Sequence, residues 1–93
     1  MLPMYTFSVD MQATGARIRD IRKAKGITAD NLASYMGFTT AQAIYKWQKG
    51  LALPEIPNLM ALSRLFGMSV EEIIVMKEAG EEPASFIVGE LKY

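Results

Sequence analysis

Two short amphipathic segments separated by a glycine constrain this chain more than any other feature of its sequence. Residues 28–36 place Leu32 and Met36 at the spacing of one helix face, with Thr28 in the position of an N-cap. Gly37 follows at once, where a helix commonly ends in the left-handed conformation that glycine adopts most readily. The pattern predicts a helix that stops at Gly37 and a chain that turns there.

A second helical segment begins directly after the turn. Thr39 followed by Gln42 has the spacing of a capping box, and Ile44 and Trp47 give the new helix an apolar side. The opposite side is polar and carries Gln42, Tyr45, Lys46 and Lys49. Two helices joined by a short turn that contains glycine are typical of a helix-turn-helix, in which the second helix enters the major groove of DNA.

The amino-acid composition narrows the class of protein. The 93 residues suffice for one domain and include neither cysteine nor histidine. Without them the chain lacks disulfides, the commonest metal ligands and the commonest general base, so we expect no metal, no cofactor and no enzymatic activity. The acidic pairs Glu71–Glu72 and Glu81–Glu82 are better explained as a helix start and a solvated linker than as catalytic carboxylates.

The start of the chain and its hydropathy bear on its location. The first residues, MLPMYTFSVDM, include no basic leader, and nowhere is there an apolar run of about 18 residues. We therefore expect a soluble cytoplasmic protein that does not span a membrane.

The charges are segregated along the chain, although the formal net charge is zero. From Gly50 to the end, three basic residues stand against seven acidic ones, whereas residues 14–49 have seven basic against two acidic, a balance of +5. The seven are Arg17, Arg19, Arg22, Lys23, Lys25, Lys46 and Lys49. The basic half coincides with the predicted helix-turn-helix, so a basic face can meet phosphate while the acidic half faces away.

The helical pattern extends over residues 14–77 and predicts five helices. The first begins at about Thr14, and the two central helices follow it. A fourth begins close to Pro57, which is tolerated in a first helical turn, and a fifth begins at Ser69, where Glu72 completes another capping box. We predict an all-α fold, a compact five-helix domain with short extended or β-strand segments at both termini.

The two flanking segments are predicted to be extended. Residues 1–13 form an N-terminal arm in which aromatic and β-branched residues alternate up to Val9. Residues 78–93 form a C-terminal tail that starts as an acidic connector and continues into the apolar stretch Phe86–Leu91. Because one isolated strand is unstable, we expect this stretch to pair with the arm or with the same element of a second copy, as a dimerisation segment.

Several exposed side chains are candidates for contact with DNA. Base edges can be met by Gln42, Tyr45 and Lys46, while the methyl groups of Thr40 and Ala41 can contact the thymine methyl. Candidates for the phosphate backbone are Arg19, Lys23, Thr28, Thr39 and Lys49. The simpler alternatives are that Gln42 only caps its own helix, that Tyr45 and Lys46 belong to an ordinary solvated face, and that Arg22 holds helix ends together. Trp47 is expected in the core.

The sequence resembles the phage-repressor or Cro/cI-type helix-turn-helix regulators, often called the XRE family. The likeness runs from about Ile18 to Ile74 and is carried by RIRDIRKAKGIT, DNLASYMG, QAIYKWQKG and NLMALSRLFGMSVEEII. It implies a five-helix, lambda-repressor-like domain that binds DNA, usually as a dimer, in a bacterial or phage transcription regulator. In this family Gln42, Tyr45 and Lys46 match base-facing positions of the recognition helix, about Thr40–Lys49.

The chain departs from the family pattern at four places. Arg22 matches an arginine that pairs with a glutamate at the end of the recognition helix, but here the partner position is Gln48. Ala29 replaces a glutamine that contacts phosphate in many members. The segment from Gly37 to Gly50 is one residue longer than usual, and the loop 51–53 is apolar where many relatives carry basic residues.

Two hypotheses of different class follow. The first is a sequence-specific, dimeric DNA-binding transcription regulator. The second is a protein-interaction module, antitoxin-like or an accessory partner, that uses the same fold. The neutral overall charge and the apolar stretch Phe86–Leu91 motivate this second hypothesis.

Overall fold

The computed structural model describes residues 5–80, and the predicted strand at Phe86–Leu91 lies outside them. The described part contains five helices and two short strands, as the sequence predicts for a helical domain with extended ends. In chain order the elements are β1 Tyr5–Val9, α1 Met11–Ala24, α2 Ala29–Met36, α3 Gln42–Gln48, α4 Ile56–Phe66, α5 Val70–Ile73 and β2 Met76–Gly80.

Helix α1 begins earlier than the sequence pattern predicts. Asp10 is its N-cap, and the Asp10 carboxylate accepts a hydrogen bond from the Ala13 backbone N–H at 2.9 Å. The helix therefore starts at Met11 rather than at about Thr14, and the predicted boundary of the arm at residue 13 falls inside α1. An aspartate cap provides the local signal for this start.

Helix α2 and the turn after it agree with the prediction. The Thr28 hydroxyl accepts from the Asn31 N–H at 3.0 Å, which confirms Thr28 as the N-cap. Gly37 ends the helix at φ +79°, in the left-handed region.

Helices α4 and α5 are also delimited as predicted. Pro57 lies in the first turn of α4, and Gly67 ends the helix at φ +68°. In the capping box of α5 the Ser69 N–H donates to the Glu72 carboxylate at 2.8 Å, and the Glu72 N–H donates to the Ser69 hydroxyl at 3.1 Å.

The hydrophobic core joins all five helices. Its fully buried large side chains are Ile18, Leu32, Ile44, Leu62, Phe66 and Ile73. Trp47 is buried as predicted, and its ring meets Phe38 edge to face with centroids 5.8 Å apart. Ile44 and Trp47 thus fix one side of α3 in the core, and the opposite side is exposed to solvent.

The two strands form an antiparallel ribbon that joins the ends of the domain. Val9 is opposite Met76, and the register continues to Tyr5 opposite Gly80. The arm therefore pairs within its own chain, but its partner is Met76–Gly80, which the sequence pattern assigned to the end of the helical domain and to an acidic connector. Pairing of backbone groups outweighs the low strand propensity of lysine, glutamate, alanine and glycine in this segment.

Hydrogen bonds connect the ribbon to α1. The Asp10 N–H donates to the Val75 carbonyl at 2.7 Å, and the Val75 N–H donates to the buried Thr14 hydroxyl at 2.9 Å.

No helix within residues 5–80 is long and apolar enough to cross a membrane.

Candidate nucleic-acid interface

Helix α3 presents a polar row to solvent. Gln42, Tyr45, Lys46 and Lys49 are exposed and follow helical spacing, while Ile44 and Trp47 on the opposite side are buried. The predicted division of this helix into an inner and an outer side is confirmed. Side chains along one exposed helix face are positioned to reach base edges together.

The start of α3 differs from the prediction. The Thr39–Gln42 capping box does not form, and the Thr40 hydroxyl instead accepts from the Gln42 backbone N–H at 3.3 Å. The regular helix therefore spans Gln42–Gln48, and Thr39, Thr40 and Ala41 belong to the turn before it. The Gln42 side chain therefore does not cap its own helix through this box, which was the simpler alternative, and it remains exposed on α3.

Ala41 does not lie where the sequence places it. Only 7% of its surface is exposed, and it belongs to the same buried cluster as Ile44 and Trp47. The expectation that Ala41 is exposed is therefore wrong, and this burial disfavours the predicted contact between its methyl group and a thymine. Ala41 instead helps to anchor the start of α3 in the core.

Two shallow grooves flank the row formed by Gln42 and Lys46. One groove is bounded by the turn and is lined by Gly37, Phe38, Thr39, Thr40, Gln42, Ala43 and Lys46. The other lies towards the end of α3 and is lined by Gln42, Tyr45, Lys46, Lys49 and Leu51. Since Gln42 and Lys46 border both grooves, they form a ridge between them, and the structure brings six predicted site residues into one surface.

The remaining predicted phosphate contacts on α1 are not part of these grooves. Arg19 is exposed and forms an ion pair with Asp20 at 3.4 Å. Such an exposed pair is weak and competes little with phosphate. Lys23 is exposed in the last turn of α1, whereas Arg17 donates to the Glu72 carbonyl at 2.9 Å and joins α1 to α5.

Thr28 and Lys49 mark the ends of the two central helices. Thr28 is the exposed N-cap of α2, where backbone N–H groups point out of the helix, and Lys49 is the exposed C-cap residue of α3. Thr28 lines neither groove.

Arg22 holds the end of α3 against α1, as one of the sequence alternatives proposed. Its Nε donates to Gln48 Oε1 at 2.9 Å, and one terminal nitrogen donates to the Ile27 carbonyl at 2.9 Å. Arg22 is only 8% exposed, so it is a structural residue. The expected charge-to-neutral hydrogen bond between Arg22 and Gln48 is confirmed.

Gly15 also positions α3, and the sequence pattern did not single it out. A Cβ atom at Gly15 would lie 2.0 Å from the Trp47 carbonyl oxygen, so the backbones of α1 and α3 touch there. The available signal was glycine inside a helix, which costs about 1 kcal/mol relative to alanine and commonly marks a close approach.

Metal binding finds no support in the part of the chain that the structure describes. Within residues 5–80 no group of three or more acidic side chains is placed to hold a metal ion.

Helix α2 ends at Gly37, a short turn follows, and α3 then buries one side and exposes the other. This arrangement defines a helix-turn-helix domain. The sequence profile of the helix-turn-helix family matches residues 18–73, more than half of the chain, so the protein belongs to this family, of the XRE type. The resemblance inferred from the sequence is thereby confirmed.

Individual relatives agree with this assignment. The chain is 27% identical over 66 residues to the HTH-type transcriptional activator BcrR of Enterococcus faecalis, a match that spans 71% of this chain but only 30% of BcrR.

Solved structures share the fold. The restriction-modification controller protein C.AhdI from Aeromonas hydrophila superposes with a TM-score of 0.62 at 23% identity, covering 69% of this chain and 96% of that one. The DNA-binding domain of BldD superposes with a TM-score of 0.59 at 20% identity, over 70% and 93% of the two chains. The clp gene regulator ClgR from C. glutamicum gives 0.59 at 24% identity, over 68% and 80%. At these identities the likeness shows the fold.

Proposed function

We propose that this chain is a sequence-specific DNA-binding transcription regulator that acts in the cytoplasm as a homodimer, with α3 in the major groove. The observation that carries the proposal is the exposed row of Gln42, Tyr45, Lys46 and Lys49 on a helix whose other side is fixed in the core. An α-helix fits the major groove, and a rigid one can hold several side chains against base edges at once.

The charge distribution supports DNA as the partner. Residues 14–49, which include α1, α2 and α3, have a balance of +5, whereas the chain from Gly50 onward has −4. Cations at the interface release counterions from DNA, and this supplies affinity that falls steeply as salt rises. The acidic chain from Gly50 onward is repelled by DNA phosphates, which disfavours orientations that bring this half against the DNA.

The relatives support regulation of transcription. BcrR is named as a transcriptional activator, C.AhdI as a restriction-modification controller protein, and the BldD structure as a DNA-binding domain. Because the match covers 30% of BcrR, the functions of the rest of that protein are not carried over.

Roles can be proposed for each residue of the surface. Gln42 suits paired hydrogen bonds to adenine, Lys46 suits the acceptors of guanine, and Thr40 offers a methyl group to thymine beside the turn. Tyr45 adds an amphipathic ring on the other side of the ridge. The phosphate contacts are proposed for Arg19, Lys23, Thr28, Thr39 and Lys49.

A fluorescence-anisotropy titration tests the proposal, with a randomised duplex pool and then with sequences selected from it, at two salt concentrations. We expect salt-sensitive binding that the double change Gln42→Ala/Lys46→Ala weakens by a factor of about 100, as two base contacts are lost. Lys77→Ala removes one exposed cation from β2 and serves as the control, with nearly unchanged binding. Absence of binding by the native protein at both salts would overturn the proposal.

A protein-interaction module is the second candidate. It is favoured by the ribbon, where Phe7 is 61% exposed and Met76 is 54% exposed. A stable 1:1 complex with another protein that persists in the Gln42→Ala/Lys46→Ala variant, together with absent DNA binding, would select this function over the first.

A further inference from the structure

The C-terminal end of α3 holds an apolar residue in a fixed position. Gly50 has φ +75°, and its N–H donates to the Trp47 carbonyl at 3.0 Å. The N–H of Leu51 donates to the Lys46 carbonyl at 2.9 Å. These two bonds form a Schellman motif, which ends the helix and sets the direction of the residue that follows the glycine.

Leu51 lies beside the exposed side of α3, in the groove that Gln42, Tyr45, Lys46 and Lys49 line. In a Schellman motif the residue at this position commonly packs on an apolar side chain of the last helical turn. Here the matching position in α3 is Lys46, and Leu51 is 69% exposed. It lines the second groove together with Tyr45, which is 47% exposed, and Lys49.

A single exposed leucine is ordinary, because much of any protein surface is apolar. Leu51 differs from such a residue in two respects: its backbone is fixed by the cap, and its side chain borders the same groove as Gln42 and Lys46. In addition, the glycine that precedes it lies against Gln12 of α1, so the loop rests on the body of the domain.

Within the major groove, the apolar feature that distinguishes one base from the others is the C5 methyl group of thymine. We propose that Leu51 is a specificity-determining residue that packs on a thymine methyl group next to the base pairs contacted by Gln42 and Lys46. The inference rests on the proposed function, since it assumes that α3 enters the major groove. It assigns a base-reading role to a residue outside the recognition helix.

The test uses DNA sites that the wild-type protein selects from randomised duplexes. Each thymine of the best site is replaced singly by deoxyuridine, which removes the methyl group and keeps the hydrogen-bonding groups. Besides the penalty expected at the thymine proposed to contact Thr40, we expect for the wild type a loss of affinity of about three- to fivefold at a second thymine of each half-site, the order expected for one methyl group that is no longer buried. Leu51→Ala should bind the thymine and uracil versions of this second position equally and keep the penalty at the thymine proposed for Thr40.

Ile56→Ala is the matched control. Ile56 is 75% exposed, opens α4 and lies outside the groove, so its variant should show the same uracil penalties as the wild type. Since both side chains are exposed, thermal melting of both variants should stay within about 3 °C of the wild type.

Two results would overturn the assignment while the proposed function stands: no uracil penalty in the wild type, or an unchanged set of penalties in Leu51→Ala. Failure of the wild type to select any DNA would overturn both the assignment and the proposed function.

Discussion

The contact between Arg22 and Gln48 shows how one side chain can set the position of α3. Arg22 is buried, and the Gln48 amide oxygen is the acceptor that joins its guanidinium to the last turn of α3. The cost of burying the guanidinium is already present in this structure. A carboxylate in place of the amide would therefore add attraction while adding little new desolvation, because Gln48 is partly exposed.

We expect Gln48→Glu to raise the free energy of unfolding by about 1 kcal/mol and the melting temperature by roughly 4–8 °C. Gln48→Ala is the counterpart: it leaves the buried cation without that acceptor and should lower the free energy of unfolding by about 2 kcal/mol. Thermal and denaturant unfolding measure both changes. A loss of stability in Gln48→Glu would contradict the proposed role of the pair.

Glu72 makes stability depend on pH. The hydrogen bonds from the Ser69 backbone and then from its side chain hold the pKa of Glu72 below the usual value. A carboxylate with a lowered folded-state pKa stabilises the fold fully above its unfolded-state pKa, and this contribution disappears as the pH falls through the folded-state pKa.

The comparison of wild type with Glu72→Gln isolates this effect, because glutamine retains a side-chain acceptor for the cap but does not titrate. We expect the stability advantage of the wild type to shrink as the pH falls from about 6 to about 3. Chemical denaturation at a series of pH values gives the difference. A stability advantage of the wild type that grows towards low pH would contradict the predicted direction of the pH dependence.

At the scale of the elements, the close approach of α1 to α3 reverses an expectation from helix propensity. Alanine is favoured over glycine by about 1 kcal/mol inside a helix, so propensity alone predicts that Gly15→Ala stabilises α1. A methyl group 2.0 Å from the Trp47 carbonyl oxygen cannot be accommodated without moving α3. We expect a net loss of about 1–3 kcal/mol and, because α3 shifts, a weaker affinity for DNA.

Gly67→Ala provides the control for this substitution. Gly67 has φ +68° with no atom within 4 Å of an added Cβ, so alanine there brings backbone strain of about 1–2 kcal/mol without displacing α3. Urea unfolding and DNA titration of the two variants separate strain from displacement. Gly15→Ala would refute the close-contact interpretation if its stability equalled or exceeded that of the wild type.

The elements also show which parts of the fold the sequence can specify. The cap of α2 at Thr28 and the capping box of α5 are local signals, since each bond spans only three residues, and both were predicted correctly. The start of α3 was not, because neither Thr39 nor Thr40 is its N-cap: Ala41 takes that position and makes no side-chain cap hydrogen bond. Ala41 is buried in the core, and its burial depends on tertiary packing that a local sequence rule does not include.

Strand β2 and the role of Gly15 lie beyond local rules for the same reason. Met76–Gly80 has poor strand propensity, and its strand arises from pairing with a segment that is distant in sequence. The exposed residues of α3 were predictable because helical periodicity fixes which side faces the core. Their proposed contacts with bases depend on the partner and are properties of the complex.

At the scale of the whole molecule, one copy of this domain offers one proposed recognition helix, α3, and its exposed row is long enough to contact only a few base pairs. A two-fold dimer doubles these contacts and sets two half-sites about one helical turn, roughly 34 Å, apart. We therefore expect sites selected from randomised DNA to be palindromic. Binding should weaken about tenfold or more when five base pairs are inserted between the half-sites, because the second half-site then faces away from its protomer.

Titration of the selected site and of the variant with five added base pairs measures this prediction, and sedimentation of the complex gives its stoichiometry. Two independent copies would tolerate insertions of five and of ten base pairs equally. A rigid dimer should lose affinity with both insertions. Ten base pairs bring the second half-site back to the same side of the duplex, but they roughly double the distance between the half-sites. Sites without symmetry, bound by one protomer per duplex, would contradict the dimer and leave reading of DNA by α3 to be judged on the Gln42→Ala/Lys46→Ala variant alone.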